Sequence, residues 1–122
     1  MGLFSKTESN VPWKTLNSVD QIDTLLEASH QKPVAIFKHS TTCGISAGAK
    51  YKLDQEWDID AEKVDIYYLD LLRYRSVSNA VADKTGVWHQ SPQVILLKDG
   101  KAVFDTSHMA ISAGRLAQAL EA

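Results

Sequence analysis

Two periodicities alternate along this chain, and that alternation limits its fold more than any other feature. Apolar runs at Val34–Phe37, Val64–Leu69 and Gln93–Leu97 are separated by stretches whose apolar residues recur at helical spacing. The runs are too short for helices, and nearly continuous apolar strands are those buried on both faces. Ser18, with Gln21 three residues on, has the pattern of a capping box. It opens a helix whose inner side carries Val19, Ile22, Leu25, Leu26 and Ser29 and which His30 to Pro33 ends. Lys38 to Thr42 reads as a loop. A helix follows from Cys43 or Gly44 to about Trp57, with Ala47, Tyr51, Leu53 and Trp57 as its apolar positions and with Gly44 and Gly48 lowering its propensity. Val77, Ala80 and Val81 mark a third helix that stops near Gly86. Asp99-Gly100 is a hairpin turn, from which Ala102 to Phe104 returns as a strand. Ala113, Leu116, Ala117 and Leu120 form the stripe of a closing helix capped by Ser112.

With a short edge strand at Trp13 to Leu16, the order is strand, helix, strand, helix, strand, helix, strand, strand, helix. Such an order predicts an α/β fold with a central mixed sheet flanked by helices on both faces. Residues 1–12 read as an N-terminal lead-in and residues 13–122 as one domain. Of the 122 residues 44% are hydrophobic, enough for a continuous core.

Charge narrows the function classes. Thirteen Lys and Arg stand against 15 Asp and Glu, a formal net charge of -2, so no nucleic-acid footprint is expected. No apolar run approaches the roughly 20 residues that cross a bilayer. Met1 to Asn10 lacks the apolar core of a secretory signal. Cys43 is the single cysteine, so no internal disulfide and no cysteine-based zinc site can form. A reducing, cytoplasmic setting is the simplest reading.

Cys43 is the leading candidate for chemistry. It sits at a strand-to-helix junction, where free backbone N–H groups and the helix dipole favour a thiolate. Lys38 and His39 are near in sequence and would add positive potential. The opposite reading is a small buried hydrophobe, but the Ser, Thr, Thr and Gly around it do not resemble core. Ser46 stands one helical turn on, where a dithiol site holds its second cysteine. It reads either as a donor to the thiolate or as an ordinary first-turn serine. Ser91-Pro92 precedes a strand, and a trans or a cis bond is compatible with that position. His89 and His108 show no metal-ligand spacing and read on residues alone as structural or supporting groups. Asp70 and Trp88 read as capping or packing groups.

A thiol at the first main helix, Ser-Pro before the next-to-last strand, and a closing hairpin and helix together resemble the thioredoxin superfamily. The resemblance implies a thioredoxin-like three-layer fold with a cis bond at Ser91-Pro92 facing Cys43. A closer likeness is to the YtxJ family of monothiol bacilliredoxins. It is carried by Phe37-Lys38-His39-Ser40-Thr41-Thr42-Cys43, Ile45-Ser46, Gly86-Val87, His89, Ser91-Pro92-Gln93, Lys98-Asp99-Gly100-Lys101 and Thr106-Ser107-His108. Two positions depart from the family pattern: Gly44 stands where proline usually follows the cysteine, and Met109-Ala110 where an aromatic usually follows Thr-Ser-His.

The family resemblance implies reduction of mixed disulfides between proteins and bacillithiol by Cys43 alone. His39, Thr42, Gly44 and Ser46 would support the thiol, and Ser91, Pro92, His89 and His108 would bind substrate. No bound cofactor or metal is implied. Bacillithiol would be the thiol co-substrate and S-bacillithiolated proteins the partners, and a monomer is expected. Cys43-Gly44-Ile45-Ser46 is also similar to the Cys-Gly-Phe-Ser motif of monothiol glutaredoxins, which share a [2Fe–2S] cluster between two chains. Their Gly-Gly and Asp pair after the last strand is missing here. A binding module of the same fold with an incidental cysteine is a third reading.

Overall fold

The computed structural model describes residues 9–122; residues 1–8 of the expected lead-in lie outside them. In chain order the elements are β1 (Lys14–Thr15), α1 (Val19–Ala28), β2 (Val34–His39), α2 (Gly44–Glu56), β3 (Asp65–Asp70), α3 (Arg75–Thr85), β4 (Gln93–Lys98), β5 (Lys101–Ser107), a 3-10 turn (His108–Ala110) and α4 (Ala113–Glu121). They match the expected order, with the turn added. The sheet runs β1-β3-β2-β4-β5. β3 is parallel to β1 and β2, while β4 is antiparallel to both β2 and β5, so the sheet is mixed.

Central β2 organises the molecule. It pairs on both edges, from Val34 opposite Asp65 and Leu97 to Lys38 opposite Leu69 and Gln93, and all six of its residues are buried. Successive strand side chains point to opposite faces. Ala35 and Phe37 therefore meet Leu53, Trp57, Ile111 and Leu116 under α2 and α4. Val34 and Ile36 meet Ile22, Leu25, Val77 and Val81 under α1 and α3. Helix pair, sheet and helix pair make the three layers of a thioredoxin-like α/β fold.

Local chemistry sets the element ends. Ser18 caps α1 by accepting from Gln21 N, and Ser112 caps α4 by accepting from Arg115 N. Gln21 does not close a box onto the cap residue itself. Its Oε1 accepts from Asn17 N, and its Nε2 donates to the Thr15 carbonyl, tying α1 to β1. Gly86 ends α3 with φ 76°, a left-handed conformation that glycine adopts without steric cost. Asp99 and Gly100 both have positive φ, 55° and 81°, as the mirror-image hairpin turn demands.

Four expectations are corrected. Lys38 and His39 belong to β2 rather than to a loop, because the strand stays paired on one or both edges through them. The inner stripe of α2 is Ser46, Ala49 and Leu53, continued by Trp57, while Ala47 and Tyr51 face solvent; a serine with buried partners took the place of an apolar residue. β5 extends to Ser107, and Thr106 is buried despite its polarity. Trp88 is 88% exposed and packs nothing. Residues 9 to 11 are fastened to α2: Asn10 N donates to the Asp54 carbonyl, Ser9 bonds the Asp54 carboxylate, and Val11 enters the core.

Candidate active site

Cys43 is half-buried and is the N-cap of α2, in extended backbone with φ -105° and ψ 124°. Its N–H donates to the Ser40 carbonyl, and its own carbonyl accepts from Ala47 N as the first helical bond. These two bonds hold the cysteine at the helix entrance without engaging its sulfur. The neighbours Thr41 and Thr42 are exposed.

Pro92 is brought to the same end of the sheet. β2 leads into the Cys43 loop, and β4 begins at Gln93, directly opposite Lys38. The Ser91–Pro92 bond is cis, as the resemblance implied. The Pro92 carbonyl accepts from His108 N at 3.0 Å, which fastens the 3-10 turn to it. His108 holds φ 55°, a region that residues with a Cβ seldom occupy. Ser91 Oγ is buried with no hydrogen-bond partner among the described residues.

Between that turn and α2 runs a cleft of about 300 Å³ lined by Gly44, Ile45, Gly48, Lys52, His108 and Met109. One end of it adjoins Cys43 through Gly44. A Cβ built on Gly44 or Gly48 would touch nothing within 4 Å, so both glycines leave space open rather than relieve a clash. Ile45 is 51% exposed and Met109 79%, which gives the walls an apolar character. Sequence reasoning singled out Gly44 and His108 but missed Ile45, Gly48 and Lys52 as walls. The available signal was an apolar Ile45 on the polar side of its helix.

Ser46 and His39 form a buried unit behind the cysteine. Ser46 Oγ accepts from Ser40 N at 3.0 Å and lies 2.6 Å from His39 Nδ1. The hydroxyl and the imidazole share one short hydrogen bond, whose direction the His39 tautomer sets. The His39 ring stacks on Phe37 and lies against Tyr68. Burial, then the Lys50 ammonium, push its pKa below the usual histidine value, against the opposing pull of Asp70 and Asp54. It is therefore neutral at pH 7. Lys38 lies on the other face of the sheet, bonded to α3. The expected positive potential from these two residues at the thiol is thus corrected.

A second polar unit stands beside this one. Asp54 accepts from Ser9, Trp13 Nε1 and Lys50, and these bonds hold its pKa below the ordinary carboxylate value despite burial. Lys50 Nζ sits over the Trp13 and Tyr68 rings at 5.5 and 5.9 Å. Asp70 caps the turn after β3 by accepting from Arg73 N. Among the described residues, no three His, Cys, Asp or Glu side chains gather where a metal could be held. No helix among them is long and apolar enough to cross a membrane.

Ser46→Ala should destabilise the fold by about 1–3 kcal/mol, the cost of leaving the buried Ser40 N–H and His39 Nδ1 unpaired. Urea denaturation would measure it. A loss below about 0.5 kcal/mol would mean that water replaces the hydroxyl.

A three-layer fold with one cysteine at a helix entrance beside a cis-proline segment defines a thioredoxin-fold thiol protein. A solved structure described as having a thioredoxin fold superposes with a TM-score of 0.74 at 35% identity, covering 88% of this chain and 92% of its own. Thioredoxins from Malassezia sympodialis and Fasciola hepatica share the fold at lower identity. Their TM-scores are 0.66 and 0.63, with 20% and 18% identity, covering 93% and 88% of this chain and 90% and 96% of theirs. Residues 14–116 match the family model described as monothiol bacilliredoxin BrxC, and the chain belongs to that family.

Proposed function

We propose that this protein reduces mixed disulfides between proteins and bacillithiol by thiol–disulfide exchange at Cys43. One observation carries the reading: the sole cysteine caps a helix beside an open cleft whose far wall is hydrogen-bonded to Pro92. Exchange needs a thiolate, a leaving thiolate and an open line of attack. The Cys43 thiolate attacks the bacillithiol sulfur of the mixed disulfide. A new S–S bond forms between Cys43 and bacillithiol, the old one breaks, and the substrate protein leaves as its thiolate. A second bacillithiol thiolate then attacks the adduct, which releases bacillithiol disulfide and restores Cys43. Ser91, Pro92, His108 and His89 would bind the substrate; His108 lines the cleft and is hydrogen-bonded to Pro92. Thr42 and Gly44 flank the sulfur in the chain. His39 and Ser46 support the loop that presents it.

The test is intact mass after reduced protein meets a bacillithiolated substrate and, separately, a glutathionylated one. The expected result is a bacillithiol adduct on Cys43 with stoichiometric release of substrate thiol, and slower reaction with the glutathionylated substrate. No adduct from either, while the unfolded chain reacts with a thiol reagent, would refute the proposal and favour a binding module.

A further inference from the structure

The side chain of Lys38 is fully buried on a central strand, a position that an apolar residue would fill at lower cost. An ammonium taken out of water is expensive unless it is paired. Yet the partners of Lys38 are uncharged: Nζ donates to the Ser78 carbonyl of α3 at 3.3 Å and lies 3.1 Å from His89 Nδ1. An ammonium can only donate, so Nδ1 must accept, and the His89 ring proton is then on Nε2.

Gln93, opposite Lys38 across β2 and β4, is buried too. Its Nε2 donates to the Trp88 carbonyl at 2.9 Å, and its Oε1 accepts from Gln90 N at 3.3 Å. The two cross-strand partners thus grip three consecutive residues, Trp88, His89 and Gln90, of the irregular segment that ends at Pro92. Sequence reasoning placed Lys38 beside the thiol; the structure puts it on the opposite face, under this segment.

We propose that Lys38 is the positioning residue of the Gly86–Pro92 segment, fixing His89 as its Nε2–H tautomer and binding the segment to α3. Substrate presented to Pro92 would thereby meet an oriented N–H donor on a fixed strand. That consequence for rate rests on the thiol-exchange reading; the tautomer does not.

The surroundings make the device sensitive to pH. Lys38 shares its face of β2 with Val34 and Ile36, which pack among apolar residues of α1 and α3, and its lateral strand neighbours are Leu69 and Gln93. Arg75 of α3 acts on His89, and Asp70 acts on His39 across the sheet. Burial lowers the Lys38 pKa from 10.5 to about 8. Burial, then the charges of Lys38 and Arg75, lower that of His89, so it is neutral at pH 7. The unfolded chain therefore binds more protons than the folded one between pH 8 and 10.5, and this group makes stability rise with pH across that window.

Histidine nitrogen NMR tests the proposal on the wild-type protein. His89 is expected as the Nε2–H tautomer at pH 7, with its ring shifts following a transition near pH 8 that Lys38→Met removes. An ordinary tautomer mixture in the wild type, or an unchanged spectrum in Lys38→Met, would overturn it. Lys38→Met should melt no lower than wild type at pH 7, because a buried charge has gone. It should exchange with a bacillithiolated peptide roughly ten- to a hundredfold more slowly, with iodoacetamide alkylation of Cys43 unchanged. Equal exchange rates would remove the positioning role. If the wild type exchanges with neither substrate, the functional reading fails while the tautomer measurement still decides the role of Lys38.

Discussion

Cys43→Ser should reduce exchange with a bacillithiolated substrate to the uncatalysed rate while the protein remains folded. The chain contains one sulfhydryl, so no other residue can form the intermediate adduct. The substitution exchanges sulfur for oxygen at a half-buried site whose side chain makes no cap bond. Stability should therefore move by only about ±0.5 kcal/mol, the range of substitutions that touch no packed or bonded feature. Substrate thiol release, followed together with circular dichroism melting, measures both halves. Turnover persisting in the variant would refute covalent exchange through Cys43. A large fall in melting temperature would mean that the sulfur is packed rather than presented.

Phe37→Ala should cost about 3–5 kcal/mol, as deletion of a fully buried aromatic ring usually does. Phe37 has no exposed surface. Its ring lies 5.6 Å from those of both Trp13 and His39, so its loss opens a void between the N-terminal segment and the histidine behind the Cys43 loop. Domains of this size are stable by only about 5–15 kcal/mol, so the variant should unfold at markedly lower urea. Water entering the void should also bring the His39 titration back toward the ordinary histidine value, because burial is the main cause of its depression. Urea denaturation and histidine NMR are the measurements. A loss under about 1 kcal/mol would show that Trp13 and Tyr68 collapse onto the vacated space.

The fold was legible because its signals are local and mutually consistent. Val34 to Phe37 and Val94 to Leu97 are apolar where strands are buried on both faces. Ser18, Gly86, Asp99-Gly100 and Ser112 punctuate the elements where capping and turn chemistry require. Cys43 at a helix entrance followed from its place after a strand, and the cis Ser91–Pro92 bond came from the resemblance rather than from local pattern. Illegible were the residues whose polarity is satisfied at long range. Lys38, His39, Ser46 and Gln93 are all buried, yet the partners of these side chains lie up to 51 residues away. No window of sequence shows such pairs, so Lys38 and His39 read as loop and Ser46 as a donor to the thiolate or a first-turn serine. Groove walls such as Ile45 and Lys52 were hidden for a related reason, since a cleft belongs to two elements at once.

β2 carries Lys38 and His39 side by side, and each finds its partners in a different layer of the molecule. A shift of this strand by one position would reverse every side chain between the layers. Its aliphatic part, Val34 to Ile36, would tolerate that reversal, since both faces accept similar residues. The polar pair would not. A shifted Lys38 would drive its ammonium toward Trp13 and Tyr68, and a shifted His39 would leave Ser46 for the apolar residues of α3. One displacement would thus break two unrelated sets of bonds. The adjacent polar residues act as a parity check on the assembly of the sheet, rejecting misaligned pairings that hydrophobicity alone would admit.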